Sequence, residues 1–518
     1  MTSPDIAGQY SSVKPFLGKA NLANVIGEDD IARIKAYDYY ENAYYNRPET
    51  LKVVLRGSDG DEQQSIFLPS VKKIVEATNR FLAVDFDFVA DPSLGTPADQ
   101  LEVSTMLQSI FKREKVHKKF ANNRRYGLIR GDAMFHITAD DTKLEGTRIS
   151  IHELDPRNYF PIPDLFDANR IAGCYLVDIV QDPKKLDDKT KKVARRQTYR
   201  RTQDAVGNFT GEVTTELELF ELGKWDARNM KPADIKSVGI LKPPTPLDPL
   251  ITNIPVYHWK NNEIPGLPFG NSEVSGIETI INAINQSISD EDITLVMQGL
   301  GMYSTDAAPP QDEAGNDTDW QIGPKTVIEV GDGQFFNRVS GVSTVAPFQE
   351  HIKFMDDYAN QALGIPDIAA GRVDVAVAES GISLLLQLMP IIAKNAEKEL
   401  EILGTTDQML FDLVHGWLPA YEALNKPDVM VTTVVGDPMP DNREASINEL
   451  LGLVSNLPQV ITQRQVREKM AKYGYTWTPE DIAELDALAA AQNADPYAAD
   501  MGDGAAADDG SGEPVPVE

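Results

Sequence analysis

Residues able to do chemistry are few and scattered along this chain. The six histidines are His117, His136, His152, His258, His351 and His415, and no two share the spacing of metal ligands on one element. The only cysteine, Cys174, excludes an internal disulfide and agrees with a reducing compartment. Asp290, Glu291 and Asp292 are consecutive. Neighbours on a helix point roughly 100° apart, so these three cannot converge fully on one Mg²⁺. They read either as a magnesium cluster or as a solvated helix end. Asp187 with Asp188, and Asp508 with Asp509, are weaker pairs. "GNSEV" (270–274) comes nearest to a nucleophile elbow, but it lacks the closing glycine and opens a helical pattern. There is no GxGxxG, no GxxxxGK[ST], no HExxH and no CxxC. No catalytic residue, metal ligand or cofactor is therefore assigned.

Composition narrows the classes further. The chain has 518 residues, 42% of them hydrophobic, enough for a substantial core and about three domains of ordinary size. The formal charge is −30, which argues against a protein that grips nucleic acid through a basic surface. It fits either plain solubility or a surface that must stay near DNA without sticking to it. The polar start "MTSPDIAGQYSS" lacks the features of a signal peptide. The longest apolar run, "ISLLLQLMPIIA" (382–393), is shorter than the roughly 20 residues of a membrane span, so no membrane partner is expected.

The elements that would position any site follow from hydrophobic period. Helices are expected at 27–46, from "LPSVKKIVEATNRFLAV" with Ser70 as N-cap, and over 97–127 as one helix. The last carries a basic face in "FKREKVHKKFANNRR", either solvated or a partner patch. From 132 the period changes to two, predicting one antiparallel meander of about five strands. Residues 224–270, with "LKPPTPLDP", read as an extended connection. A long two-faced helix is expected over 270–299, then a polar insertion containing short strands. A helix over "APFQEHIKFMDDYANQAL" follows, with Phe348, Ile352, Met355, Ala359 and Ala362 on one face. The small-residue stretch "GIPDIAAGRVDVAVAESG" leads into a helix over about 380–403, which Pro390 should kink. Separate helices are expected at 405–425 and 445–490, with a capping box at "SINE" (446–449). The Ala/Gly/Asp-rich end should be a disordered acidic tail.

The order of these parts resembles the portal proteins of long-tailed double-stranded DNA bacteriophages. "YDYYENAYY" (37–45) resembles that family's tyrosine-rich first helix, and "RYGLIRGDAMFHITAD" (125–140) its entry into the wing sheet. "NIPVYHWKNNEIPGLPFGNSEVSGIETIINAINQSISD" (253–290) resembles its passage into the stem. "LGIPDIAAG" and "ESGISLLL" are similar to its segment around the tunnel loop. The likeness spans roughly 25–485 and rests on the ordered set of motifs.

The resemblance implies an α+β portal fold. Its parts would be an N-terminal wing region of helices and antiparallel β-meander (1–270), a stem helix (271–300) and a small clip insertion (301–345). A returning stem helix (346–363), a tunnel loop with a long kinked wing helix (364–404), a helical crown (405–486) and the acidic tail (487–518) would follow. It implies a non-enzymatic, virion-borne ring of about twelve subunits at one capsid vertex, assembled in the bacterial host cytoplasm. Through that head–tail connector, double-stranded DNA would be packaged and ejected without sequence-specific binding. Partners would be the terminase large subunit, the head-to-tail adaptor, and the major capsid and scaffold proteins. Ile277, Ile280, Ile281, Ile284 and Ile288 would pack between neighbouring stems. Gly371, Arg372, Asp374 and Glu379 would belong to the tunnel loop at the DNA channel, with Arg372 the cation nearest passing phosphate. Trp320 and Lys325 would serve clip docking. The alternative of another class is a monomeric acidic metal-dependent hydrolase using the 290–292 carboxylates.

Overall fold

The computed structural model describes residues 28–47, 66–164, 170–182, 192–204, 207–221, 236–300, 302–320, 330–339, 346–372 and 381–436, with a few isolated positions besides. All lie in one compact unit, Met1–Pro438; the second unit, Met439–Glu518, which holds the expected crown helices after 445 and the acidic tail, lies outside the described residues.

Helix α1 (Glu28–Tyr44) opens with three acids, which suit the positive end of the helix dipole, and buries Ile34, Tyr37 and Tyr44. α2 (Ser70–Arg80) buries Val71, Ile74, Val75 and Thr78, as their shared face requires. Ser70 is not its N-cap: Pro69 holds that position and no side chain caps the helix. The single helix expected over 97–127 is two. α3 (Pro97–Glu114) begins with Thr96 accepting from the Asp99 amide and with proline at the first turn. Lys115 then takes a left-handed backbone (φ 54°), which ends α3 and restarts the chain as α4 (Val116–Arg130). Neither proline nor glycine stands at the break, so side-chain pattern alone conceals it.

The expected meander is in fact divided between two sheets. Strand β2 (Asp132–Ala139) lies between β3 (Ile149–Leu154) and a strand at Val256–Lys260. Strands β4 (Tyr159–Pro163), β5 (Ile171–Gln181), β6 (Lys192–Gln203) and β7 (Phe209–Glu221) form a second antiparallel sheet. A two-residue pair, β8 (Trp225–Asp226) and β9 (Lys231–Pro232), precedes β10 (Lys236–Pro246), which completes that sheet as its edge. The proline-rich stretch is therefore partly strand and not only a connection. Pro243, Pro244 and Pro246 are tolerated because an edge strand needs no donors on its outer side. The strand at Val256–Lys260 is β11. The sheets meet around Met134, Tyr159, Cys174, Leu176, Tyr199 and Val213. A further strand, β1 (Val84–Ala90), pairs antiparallel with β14 (Val431–Gly436), tying the N-terminal helices to the far end of the unit.

The long helix does not start at Gly270. The amide of Gly270 donates to Asp132 (2.9 Å), that of Asn271 to the Asn261 carbonyl (2.7 Å) and that of Glu273 to the Leu128 carbonyl (2.8 Å). These bonds clamp an extended segment onto α4 and β2. α5 (Glu278–Leu300) begins after it, and its 23 residues span roughly 35 Å. The insertion pairs β12 (Met302–Thr305) with β13 (Phe336–Val339), and α6 (Ala346–Ala362) returns to pack on α5. α7 (Gly381–Asp412) carries Pro390 within it and runs past the expected end at 403. It continues through a π-helical turn, Leu413–Trp417, into α8 (Leu418–Tyr421), so the separate helix expected at 405–425 belongs to this one rod.

Candidate functional site

The insertion between α5 and α6 has its own small aromatic cluster. Trp320 is half-buried, its ring 5.2 Å from that of Phe336, and the Tyr303 ring lies tilted 5.3 Å from the same ring. Trp320 thus helps hold the hairpin together, which is where much of its apolar surface goes. Asp312 accepts amide bonds from Ala314 (2.9 Å) and Asn316 (2.8 Å), closing the acidic turn at its tip. Lys325 lies outside the described residues.

After α6 the chain turns sharply. Gly371 has φ 84° with open space where a side chain would project, and Asp374 and Glu379 lie outside the described residues. The Arg372 guanidinium is engaged by its own chain. It pairs with Asp356 and Asp357 of α6 and lies 3.7 Å from Asp367. Lys73 of α2 reaches Asp356 at 2.8 Å. Three carboxylates and two cations thus anchor this turn to α6 and α2, with the Arg372 guanidinium set among the carboxylates.

The isoleucines expected between stems are placed differently. Ile277, Ile281 and Ile284 are all at most 4% exposed within a single chain, so their apolar surface is already covered there. Ile280 and Ile288 are half-buried. The two-faced character of α5 has the same origin: Asn285 accepts from the Leu68 amide (2.9 Å) and Ser289 from the Ile66 amide (3.1 Å). Polar residues on this helix hold a neighbouring segment of the same chain. Asp290 accepts from Gln286 (2.8 Å), and Glu291 from Gln349 of α6 (3.3 Å).

What sequence reasoning missed is the outer face of α7. Leu386, Met389, Ala393, Ala396 and Leu400 are all exposed, with Leu386 at 67% and Leu400 at 70%. Their spacing of three, four, three, four is that of a coiled-coil seam. The opposite face, Leu388, Ile391, Asn395, Lys398 and Ile402, repeats that spacing and is buried. α6 shows a matching outer line at Pro347, His351, Phe354, Tyr358 and Gln361, with Phe354 67% exposed. A heptad count in the sequence could have found both lines, but spacing alone does not say which face of a helix is left exposed.

Two buried polar groups bear on the chemistry. Asp132 is fully buried and takes donors from three elements: the Tyr37 hydroxyl, the Gly270 amide, and His258, whose Nε2 lies 2.7 Å away. Burial, and then Asp132 itself, hold the Tyr37 phenol well above its ordinary value, so it remains a donor. A cleft of about 940 Å³ opens beside them between α1, β4, β11, α7 and the 266–272 segment. Glu273 is buried against Lys394 and Lys398; burial pushes its carboxyl up, but the two ammonium groups outweigh this and hold it below its usual range. Ser272, the residue at the elbow position, is buried, and its hydroxyl lies 3.5 Å from the Leu128 carbonyl and accepts from the Val274 amide (3.4 Å). Among the described residues no three His, Cys, Asp or Glu side chains gather as a metal-ligand set, and no helix is long and apolar enough to cross a membrane. The chain matches no protein-family model and no curated protein.

Proposed function

We propose that this chain is a portal-type ring subunit: a structural protein that multiplies around a channel for double-stranded DNA at one vertex of a virus capsid. The observation that carries the reading is the exposed three-four seam on α7. One face of this long helix is covered by its own chain, and the apolar residues exposed on the other, Leu386, Met389 and Leu400, call for another body to cover them. A ring supplies that body by symmetry, since each copy offers the same surfaces in turn. The layout supports it too. Two helices run to and from a polar hairpin, as expected of a stem carrying a clip, and an acidic chain lets phosphate slide rather than bind. Under this reading the hairpin docks the terminase large subunit during packaging and a head-to-tail adaptor afterwards. The ring also meets capsid and scaffold proteins in the host cytoplasm before it stands in the virion.

Native mass spectrometry of the purified chain tests this. The expected species is a closed ring of about twelve copies of a 57.1 kDa subunit. A monomer across micromolar concentrations would contradict it.

A further inference from the structure

A ring of identical subunits needs two different complementary surfaces on each copy, because a heterologous contact joins one patch to another around the circle. The outer seams of α6 and α7 differ in the way such a contact requires. On α6 the central side chains are large, Phe354 and Tyr358. On α7 the central side chains are small, Ala393 and Ala396, with Met389 and Leu400 raised on either side. Large residues opposite a small-residue gap are what knobs-into-holes packing uses. Charges are complementary as well. Lys353, exposed beside Phe354, and Glu397, exposed beside Ala396, each have no ion pair among the described residues.

We infer that Phe354 and Tyr358 of one copy seat in the Ala393–Ala396 trough of the next, with Lys353 facing Glu397. The inference rests on the ring reading and names its contact. It places the inter-subunit seam on α6 and α7 and not on Ile277, Ile281 and Ile284, which each chain buries for itself.

The test is a chain carrying both Phe354→Cys and Ala396→Cys, oxidised mildly and run under denaturing conditions. Cys174 is fully buried, so it stays out of the reaction. A ladder of covalent multimers extending beyond the dimer is expected. A monomer closed on itself, or a dimer formed equally by Phe354→Cys alone, would overturn the pairing. So would intact rings, confirmed by native mass, that show no ladder. Absence of any ring from the unsubstituted chain would instead remove the ring reading itself. Charge reversal gives a second route that leaves the apolar seams intact. Lys353→Glu and Glu397→Lys should each weaken assembly about tenfold, and the double exchange should restore it. Two independent losses that add without rescue would contradict the pairing.

Discussion

Two buried residues, His136 and Ile284, give sharp tests. His136 is buried with Nε2 3.0 Å from the Tyr199 hydroxyl. Burial, helped by His152 and Arg195, lowers its pKa to about 3 from an ordinary 6.5. A depressed imidazole means that folding favours the neutral ring. The stability it lends is whole above pH 6.5 and drains as pH falls toward 3. Relative to His136→Gln, the natural chain should lose about 2 kcal/mol more between pH 7 and pH 5, read from urea unfolding at both values. Parallel pH profiles would contradict this. Ile284, 1% exposed, makes the second test. Ile284→Ala should cost about 2–5 kcal/mol, and should do so even where the chain is dilute enough to be monomeric. A loss seen only in the assembled state would return this residue to a contact between copies. At this scale the sequence was legible as pattern and illegible as partner. Spacing identified the α5 isoleucines as one apolar group, but nothing in spacing says whether the covering surface belongs to the same chain. Trp320 shows the same: a tryptophan in polar sequence reads either as a docking anchor or as part of a small local core, and its ring lies against Phe336.

Among the elements, long amphipathic helices were legible and their ends were not. α6 falls almost where its periodicity puts it: Met355 and Ala359 are buried and Phe348 and Ile352 half-buried on the expected face, although Ala362 at its end is exposed. α5 starts eight residues later than its pattern, because the amides of Gly270, Asn271 and Glu273 serve partners distant in sequence. Lys115 breaks a helix that no proline or glycine marks. Sheet membership was invisible, since β2 and β3 look like β5 and β6 along the sequence and only β11, some hundred residues on, separates them. The anchored turn after α6 gives an element-scale prediction. Arg372→Glu would place a fourth acid among Asp356, Asp357 and Asp367 and release the turn. The amides of Gly371 and Arg372, now bonded to the carbonyls of Ile368 (3.1 Å) and Asp367 (2.8 Å), should exchange hydrogen about tenfold faster. Unchanged exchange would show that the backbone turn, and not the ion pairs, holds this segment.

For the whole molecule, the formal charge of −30 and the uncovered seam on α7 pull in opposite directions. Like charge disperses copies, and exposed Leu386, Met389 and Leu400 gather them. The proposed ring would reconcile both by burying the seam and leaving charge on the remaining surface. Assembly should therefore strengthen with added salt, which screens repulsion within about 8–10 Å without weakening apolar contact. Sedimentation at low and high salt would show this as a shift toward the larger species, and dissociation by salt would contradict it. The most direct test of the account is electron microscopy of the purified chain. A portal-type subunit should give rotationally symmetric rings with an axial channel wide enough to admit duplex DNA. Particles of single-chain size, or oligomers closed without a central channel, would contradict it.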